Sequence, residues 1–173
     1  PARCLGASEP TIAELQNGSL LMLIRNQGGS LWQALATPGA GGLRLLPARR
    51  SALISSDTPS FLLRLNHASW AERSSTQPLL LLYANSGTTW PLACNAGQGT
   101  PCVYTIRSVL HAAISYDEGS TWMGHREVYR DPCARGCLRS HRDYGVGYST
   151  AVEQPDGTVL VKTGQALGHW GSF

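Results

Sequence analysis

The sequence predicts an all-β protein, and three observations carry that prediction. Short apolar runs alternate with clusters of Gly, Pro, Asn and Asp that signal turns. No long amphipathic helical periodicity interrupts them. The 173 residues include 19 glycines and 10 prolines and only 14% charged residues, a composition suited to strands joined by tight connections. A chain of this length can bury a core of its own.

The elements follow in order. Thr11–Leu15 and Leu20–Ile24 are apolar strand patterns separated by Gln16-Asn17-Gly18-Ser19, a strong hairpin signal. Gly29–Leu35 follows as a third strand. A second module begins at Ser60–Leu65 and carries a polar insertion, Asn66–Gln77, where the first has its short turn. Leu79–Tyr83 is its second strand. A loop containing Gly87, Pro91, Gly97, Gly99 and Pro101 leads to the third strand, Val109–Ser115. A fourth is expected near Arg126–Tyr129. A third module opens with Tyr148–Glu153, turns at Pro155-Asp156-Gly157 and continues through Thr158–Lys162.

Repetition of strand, turn, strand, loop, strand, turn, strand is the signature of a β-propeller. The expected architecture is therefore a partial β-propeller of about two and a half four-stranded antiparallel blades. They fall at approximately 9–50, 58–130 and 146–173 of a single incomplete domain spanning 1–173. A closed ring takes at least about four blades, so the strands present cannot close one.

Between the last two strands of the second module lies Ser115-Tyr-Asp117-Glu-Gly119-Ser-Thr121-Trp122. Each fixed position has a mechanical reason. Asp117 can fold its carboxylate onto nearby backbone N–H groups, and Gly119 can take the positive φ of a tight turn. Thr121 and Trp122 then suit re-entry into a strand. The pattern S-x-D-x-G-x-T-W resembles the Asp box, the hairpin turn of sialidase-type propellers. The corresponding turn of the first module is degenerate, with Pro38 for the Asp and Leu43 for the Trp. Tyr83–Trp90 has a similar spacing, with Asn85 for the Asp, but follows a second strand and is taken as a loop.

The box also fixes direction. In an antiparallel blade the start of strand 1, the end of strand 2 and the start of strand 3 share one face, and the turn between strands 3 and 4 lies on the other. Glu9, Arg25, Arg107 and Tyr148 therefore fall on one face, opposite the box. Guanidinium forks bind carboxylates bidentately, and a Glu beside a Tyr hydroxyl can act as its base.

The segments holding these residues resemble those of sialidases (neuraminidases). Glu9–Arg25 is similar to the segment with the catalytic Glu and second triad arginine, Arg107–Ser115 to that with the third arginine, and Tyr148–Gly157 to that with the nucleophilic tyrosine. The resemblance implies a retaining glycosidase that releases terminal sialic acid from glycoconjugates. Tyr148 would be the nucleophile and Glu9 its base, while Arg25 and Arg107 would hold the substrate carboxylate. No cofactor or metal is implied. The partner would be a sialylated glycan or related anionic sugar. The family's first triad arginine and acid/base aspartate match no run in this chain, so these residues alone are expected to be inactive. Thr163-Gly164-Gln165 stands where the family often has a Tyr-Glu pair. A non-catalytic glycan- or protein-binding propeller, or a divergent glycosidase of the same superfamily, is the alternative.

Other classes are disfavoured. The net charge of +3 is small and the basic residues, Lys162 and otherwise arginines, are scattered, which argues against nucleic-acid binding. No apolar run has the length of a membrane span, and no signal peptide is visible, although a start at Pro1 reads as an excerpt of a longer protein. Of the five cysteines, Cys94 with Cys102 and Cys133 with Cys137 bracket loops outside the expected strands, and Cys4 is left over. Local disulfides would suit a secreted or lumenal protein, while free loop thiols would suit a cytosolic one. A metal site from Cys133, Cys137 and His141 has no common zinc spacing. Glu14, His111 and Asp143 are taken as ordinary strand and loop residues.

Overall fold

The computed structural model describes residues 7–26, 28–55, 58–71, 76–85, 89–93, 101–105, 109–130 and 146–164, of which 89–93 and 101–105 are described by their backbone alone. The described residues form antiparallel β-sheets with almost no helix, in keeping with the all-β reading of the sequence. Among the described residues no sheet closes on itself.

The first sheet contains β1 (Ser8–Glu14), β2 (Leu20–Arg25), β3 (Ser30–Gly39), β4 (Gly42–Leu45) and β5 (Arg49–Ile54). The first three form a meander, with Ala13 opposite Leu21 and Leu21 opposite Leu35. Instead of one fourth strand, β4 and β5 pair in succession with β3. The connection between them contains Pro47, which has no N–H to donate to a ladder. The Asn-Gly turn is as expected: Asn17 Oδ1 accepts from the Ser19 amide at 3.0 Å.

The second sheet is ordered β11 (Met123–Arg130), β10 (Val109–Ser115), β7 (Leu79–Tyr83), β6 (Phe61–Arg64). This is the up-and-down order expected for the second module. Its insertion holds one helical turn, α1 (Ala68–Ala71), and the loop after Tyr83 contains a hairpin of β8 (Thr89–Ala93) and β9 (Pro101–Thr105). Neither was legible in the sequence, and Cys102 consequently lies in a strand rather than outside one. The third sheet is the hairpin of β12 (Thr150–Glu153) and β13 (Val159–Lys162).

The sheets stack face to face. Leu21, Leu23, Leu31 and Leu53 of the first sheet bury themselves against Leu62, Leu79, Leu81 and Tyr83 of the second. Leu82, Ala84 and Leu110 on the other face of the second sheet meet Val146, with Ala151 and Val161 of the third packed alongside. All five residues of β7 are therefore buried, which is why its apolar run is continuous rather than alternating. Each such leucine contributes about 1.5–3 kcal/mol by leaving water.

Apolar residues also occupy the faces turned away from these cores. Val152 and Leu160, partners across the third sheet, are exposed, as is Ile12 on the first.

Polar latches join the sheets at one end. The Glu118 carboxylate accepts from Arg64 Nη1 at 2.8 Å and Nη2 at 2.9 Å, and from the Gln16 amide of the β1–β2 turn at 2.9 Å. Arg64 also donates to the Glu14 carbonyl. Glu153 of the third sheet accepts from the amides of Asn66 and His67 and from Trp70 Nε1, so it clamps the insertion of the second. These contacts place the β1–β2 turn, the box and the insertion at a common end of the stack.

Candidate active site

Glu9, Arg25 and Tyr148 meet at the opposite end. Pairing of Ser8 with Arg25 puts the arginine at the end of β2 level with the start of β1. The register is broken between Ser8 and Thr11, and Glu9 sits in this irregularity with φ +42°. A β-bulge re-aims a side chain, and here Glu9 forms an ion pair with Arg25, its Oε2 accepting from Nη1.

Tyr148 lies just before β12 and also has a positive φ, +48°. Its hydroxyl donates to Glu9 Oε1 at 2.9 Å. Fully buried Val146 anchors the approach to Tyr148, and buried Ser149 follows it, with its hydroxyl 2.8 Å from the Thr163 hydroxyl. Left-handed backbone at a non-glycine residue costs about 1–3 kcal/mol and persists where surrounding contacts over-determine it. Both members of the Glu9–Tyr148 pair carry that strain.

One carboxylate thus holds a guanidinium on one oxygen and a phenol on the other. The side chain of Glu9 is 37% exposed and Tyr148 is 55% exposed, so a solute can reach the pair. Chemically, Glu9 is placed to take the phenol proton, and the adjacent arginine supplies positive charge for an anion. Arg107, the other expected arginine, lies outside the described residues.

The box turn is at the latched end. Asp117 Oδ1 accepts from the Thr121 amide and the Ser115 hydroxyl, both at 2.8 Å, and Oδ2 from the Thr121 hydroxyl at 2.6 Å. Ser115 Oγ in turn accepts from the Gly119 amide at 2.8 Å. Partial burial would raise the Asp117 pKa, but the hydrogen bonds from Thr121 and Ser115 outweigh it and hold the carboxyl below its ordinary value. Gly119 has φ +81°, and a Cβ there would run into Leu21 Cδ2 of the first sheet. Trp122 packs against the first core.

A second polar group surrounds Tyr83. Its hydroxyl is 2.8 Å from His125 Nδ1, while His125 Nε2 lies 3.2 Å from the Trp122 carbonyl and must donate to it. Burial raises the Tyr83 pKa, opposed by a hydrogen bond with Asn85. His111 lies beside the Tyr83 ring, and its buried Nδ1 has no hydrogen-bond partner among the described residues. Burial pushes the His111 pKa down, Glu127 opposes this, and Arg130 and His125 add to it.

Glu118, Glu153 and the Tyr83–His125 pair had no signal in the sequence. Their partners lie 42 to 102 residues away along the chain. Glu14 is exposed on its strand as expected, acting through its carbonyl. Cys4, Cys94, Cys133, Cys137, His141 and Asp143 lie outside the described residues. Among the described residues no three His, Cys, Asp or Glu side chains gather as a metal site, and no helix is long and apolar enough to cross a membrane. Comparison with protein-family models and with curated protein sequences finds no match to this chain.

Proposed function

We propose that the chain is the nucleophile-bearing part of a sialidase-like retaining glycoside hydrolase acting on terminal sialic acid. The observation that carries this reading is the hydrogen bond from Tyr148 Oη to Glu9 Oε1, with Arg25 on the other carboxylate oxygen. A sialic acid has a carboxylate on its anomeric carbon, which would repel an anionic Asp or Glu nucleophile. A neutral tyrosine avoids that repulsion, and sialidases with a tyrosine nucleophile are the known exception to the two-carboxylate glycosidases.

In this mechanism Glu9 takes the phenol proton as Tyr148 Oη bonds to the anomeric carbon and the glycosidic C–O bond breaks. The departing oxygen takes a proton from an acid contributed by other residues of the enzyme. Water then displaces the tyrosine, losing a proton to the conjugate base of that acid, while the phenolate recovers its proton from Glu9; the enzyme is restored and configuration is retained. Arg25, with Arg107, orients the substrate carboxylate. The resemblance of the segments around Glu9, Arg25, Arg107 and Tyr148 to those of sialidases supports this reading.

The propeller is part of the same proposal. Three antiparallel sheets stacked face to face support it, as do first strands β1, β6 and β12 that adjoin in sequence order through Thr11, Arg64 and Glu153. A non-catalytic glycan- or protein-binding propeller is the second reading. Thr163-Gly164-Gln165, standing where the family often has a Tyr-Glu pair, is the departure that keeps it open.

Hydrolysis of a fluorogenic sialoside by the full-length protein separates the two. Turnover is expected, and Tyr148→Phe is expected to reduce it at least a hundredfold with an unchanged melting temperature. Unchanged turnover in the variant removes the nucleophile assignment, and no turnover by the parent protein favours the binding reading.

A further inference from the structure

We propose that the cleft between the first and second sheets is a binding site for a neutral sugar ring, separate from the Glu9–Tyr148 pair. The cleft has a volume of about 430 Å³, within the range of small-ligand sites. Strands β3 and β5 form one wall, and the end of β7 with the box turn and the start of β11 forms the other.

The chemistry of the walls selects the ligand. No Asp, Glu, Lys or Arg lines the cleft among the described residues. A charged solute entering it would lose hydration without gaining a counter-ion, which is costly. The wall is nevertheless polar. Among the described residues the Gln33 amide finds no hydrogen-bond partner in the protein. Asn85 uses part of its amide on Tyr83 and keeps further donor and acceptor capacity.

Tyr83 and His125 are fixed relative to each other. Because His125 Nε2 donates to the Trp122 carbonyl, neutral His125 accepts the Tyr83 hydrogen at Nδ1. The polar groups of this wall are therefore set before a ligand arrives, which reduces the ordering cost of binding. Trp122 adds an aromatic surface. A solute with hydroxyls around its edge, an apolar C–H face and no charge matches all of these features. A pyranose ring has them, whereas a purely apolar solute would leave the amides unsatisfied.

This site does not depend on the catalytic reading. Titration of the full-length protein with methyl glycosides of glucose, galactose and N-acetylglucosamine, followed by NMR and calorimetry, tests it. At least one should bind saturably, with a Kd of about 1 mM or tighter, and move the ring signals of His125 and Trp122. Gln33→Leu should weaken binding about tenfold at unchanged melting temperature, and Asn85→Ala serves as a second variant should the first disturb β3. Free sialic acid should not shift the His125 and Trp122 signals. Lack of saturable binding by all three glycosides overturns the proposal. So does wild-type affinity in both variants, or equal occupancy of the cleft by sialic acid.

Discussion

The Tyr148 hydroxyl donates to Glu9 Oε1 at 2.9 Å across a separation of 139 residues. Neither residue reaches the other through regular strand geometry. Glu9 is turned by a register break in β1, and Tyr148 precedes β12, both with positive φ. Strain of this kind concentrates where a side chain must be aimed.

Replacing Glu9 by Gln should therefore separate chemistry from binding. The amide oxygen can still accept the phenol hydrogen bond, but it cannot take the proton. In the full-length protein we expect kcat on a fluorogenic sialoside to fall by about 10²–10⁴, with a smaller change in KM. Steady-state kinetics check this, and an equal loss confined to KM would assign Glu9 to binding instead.

The box turn should give the fold an acid-sensitive component. Asp117 titrates below its ordinary value when folded, so the unfolded chain takes up the proton first as pH falls. Its stabilisation is fully present above the unfolded carboxylate value of about 3.9 and is lost as pH falls through the folded value. Asp117→Asn should remove this part of the pH dependence. Asp117→Ala should cost about 1–2 kcal/mol at neutral pH by leaving the Thr121 and Ser115 donors without it. Urea melts from neutral pH to pH 3 measure both.

His111 should act at higher pH. Its pKa is depressed in the fold, chiefly by burial, while Glu127 opposes and Arg130 and His125 reinforce the shift. Between the folded value and the unfolded value of about 6.5, the unfolded chain binds more protons. Stability should therefore decline as pH falls through about 6.5 and level off below the folded value. An NMR titration of the His111 ring checks the direction, and a midpoint at or above the ordinary histidine value would contradict it. A His111→Asn variant should show a smaller loss of melting temperature between neutral and mildly acidic pH.

Much of the strand order was legible in the sequence because its signals are local. Leu20-Leu-Met-Leu-Ile24 after Asn17-Gly18 specifies a hairpin without help from the rest of the chain. The box likewise contains its own hydrogen-bonding partners within a few residues. The face shared by Glu9, Arg25 and Tyr148 followed from strand direction alone.

What was not legible depends on distant partners. Glu118 occupies a variable position of the box, yet it joins Arg64 and the Gln16 amide across two sheets. Glu153 looks like an ordinary strand residue until α1 and the insertion settle onto it. The split of the first module's outer strand into β4 and β5 arises around Pro47, and the β8–β9 hairpin lies within a loop rich in Gly and Pro. Turn composition marked these regions without specifying their pairing.

The decisive measurement is covalent trapping of the full-length protein with a fluorinated sialoside that forms its glycosyl-enzyme quickly and hydrolyses slowly. Mass spectrometry of the intact protein and its peptides should show one sialyl adduct on Tyr148, absent from Tyr148→Phe. An adduct on Glu9 or another carboxylate, or sialoside turnover with Tyr148 unmodified, would contradict the assignment of Tyr148 as the nucleophile.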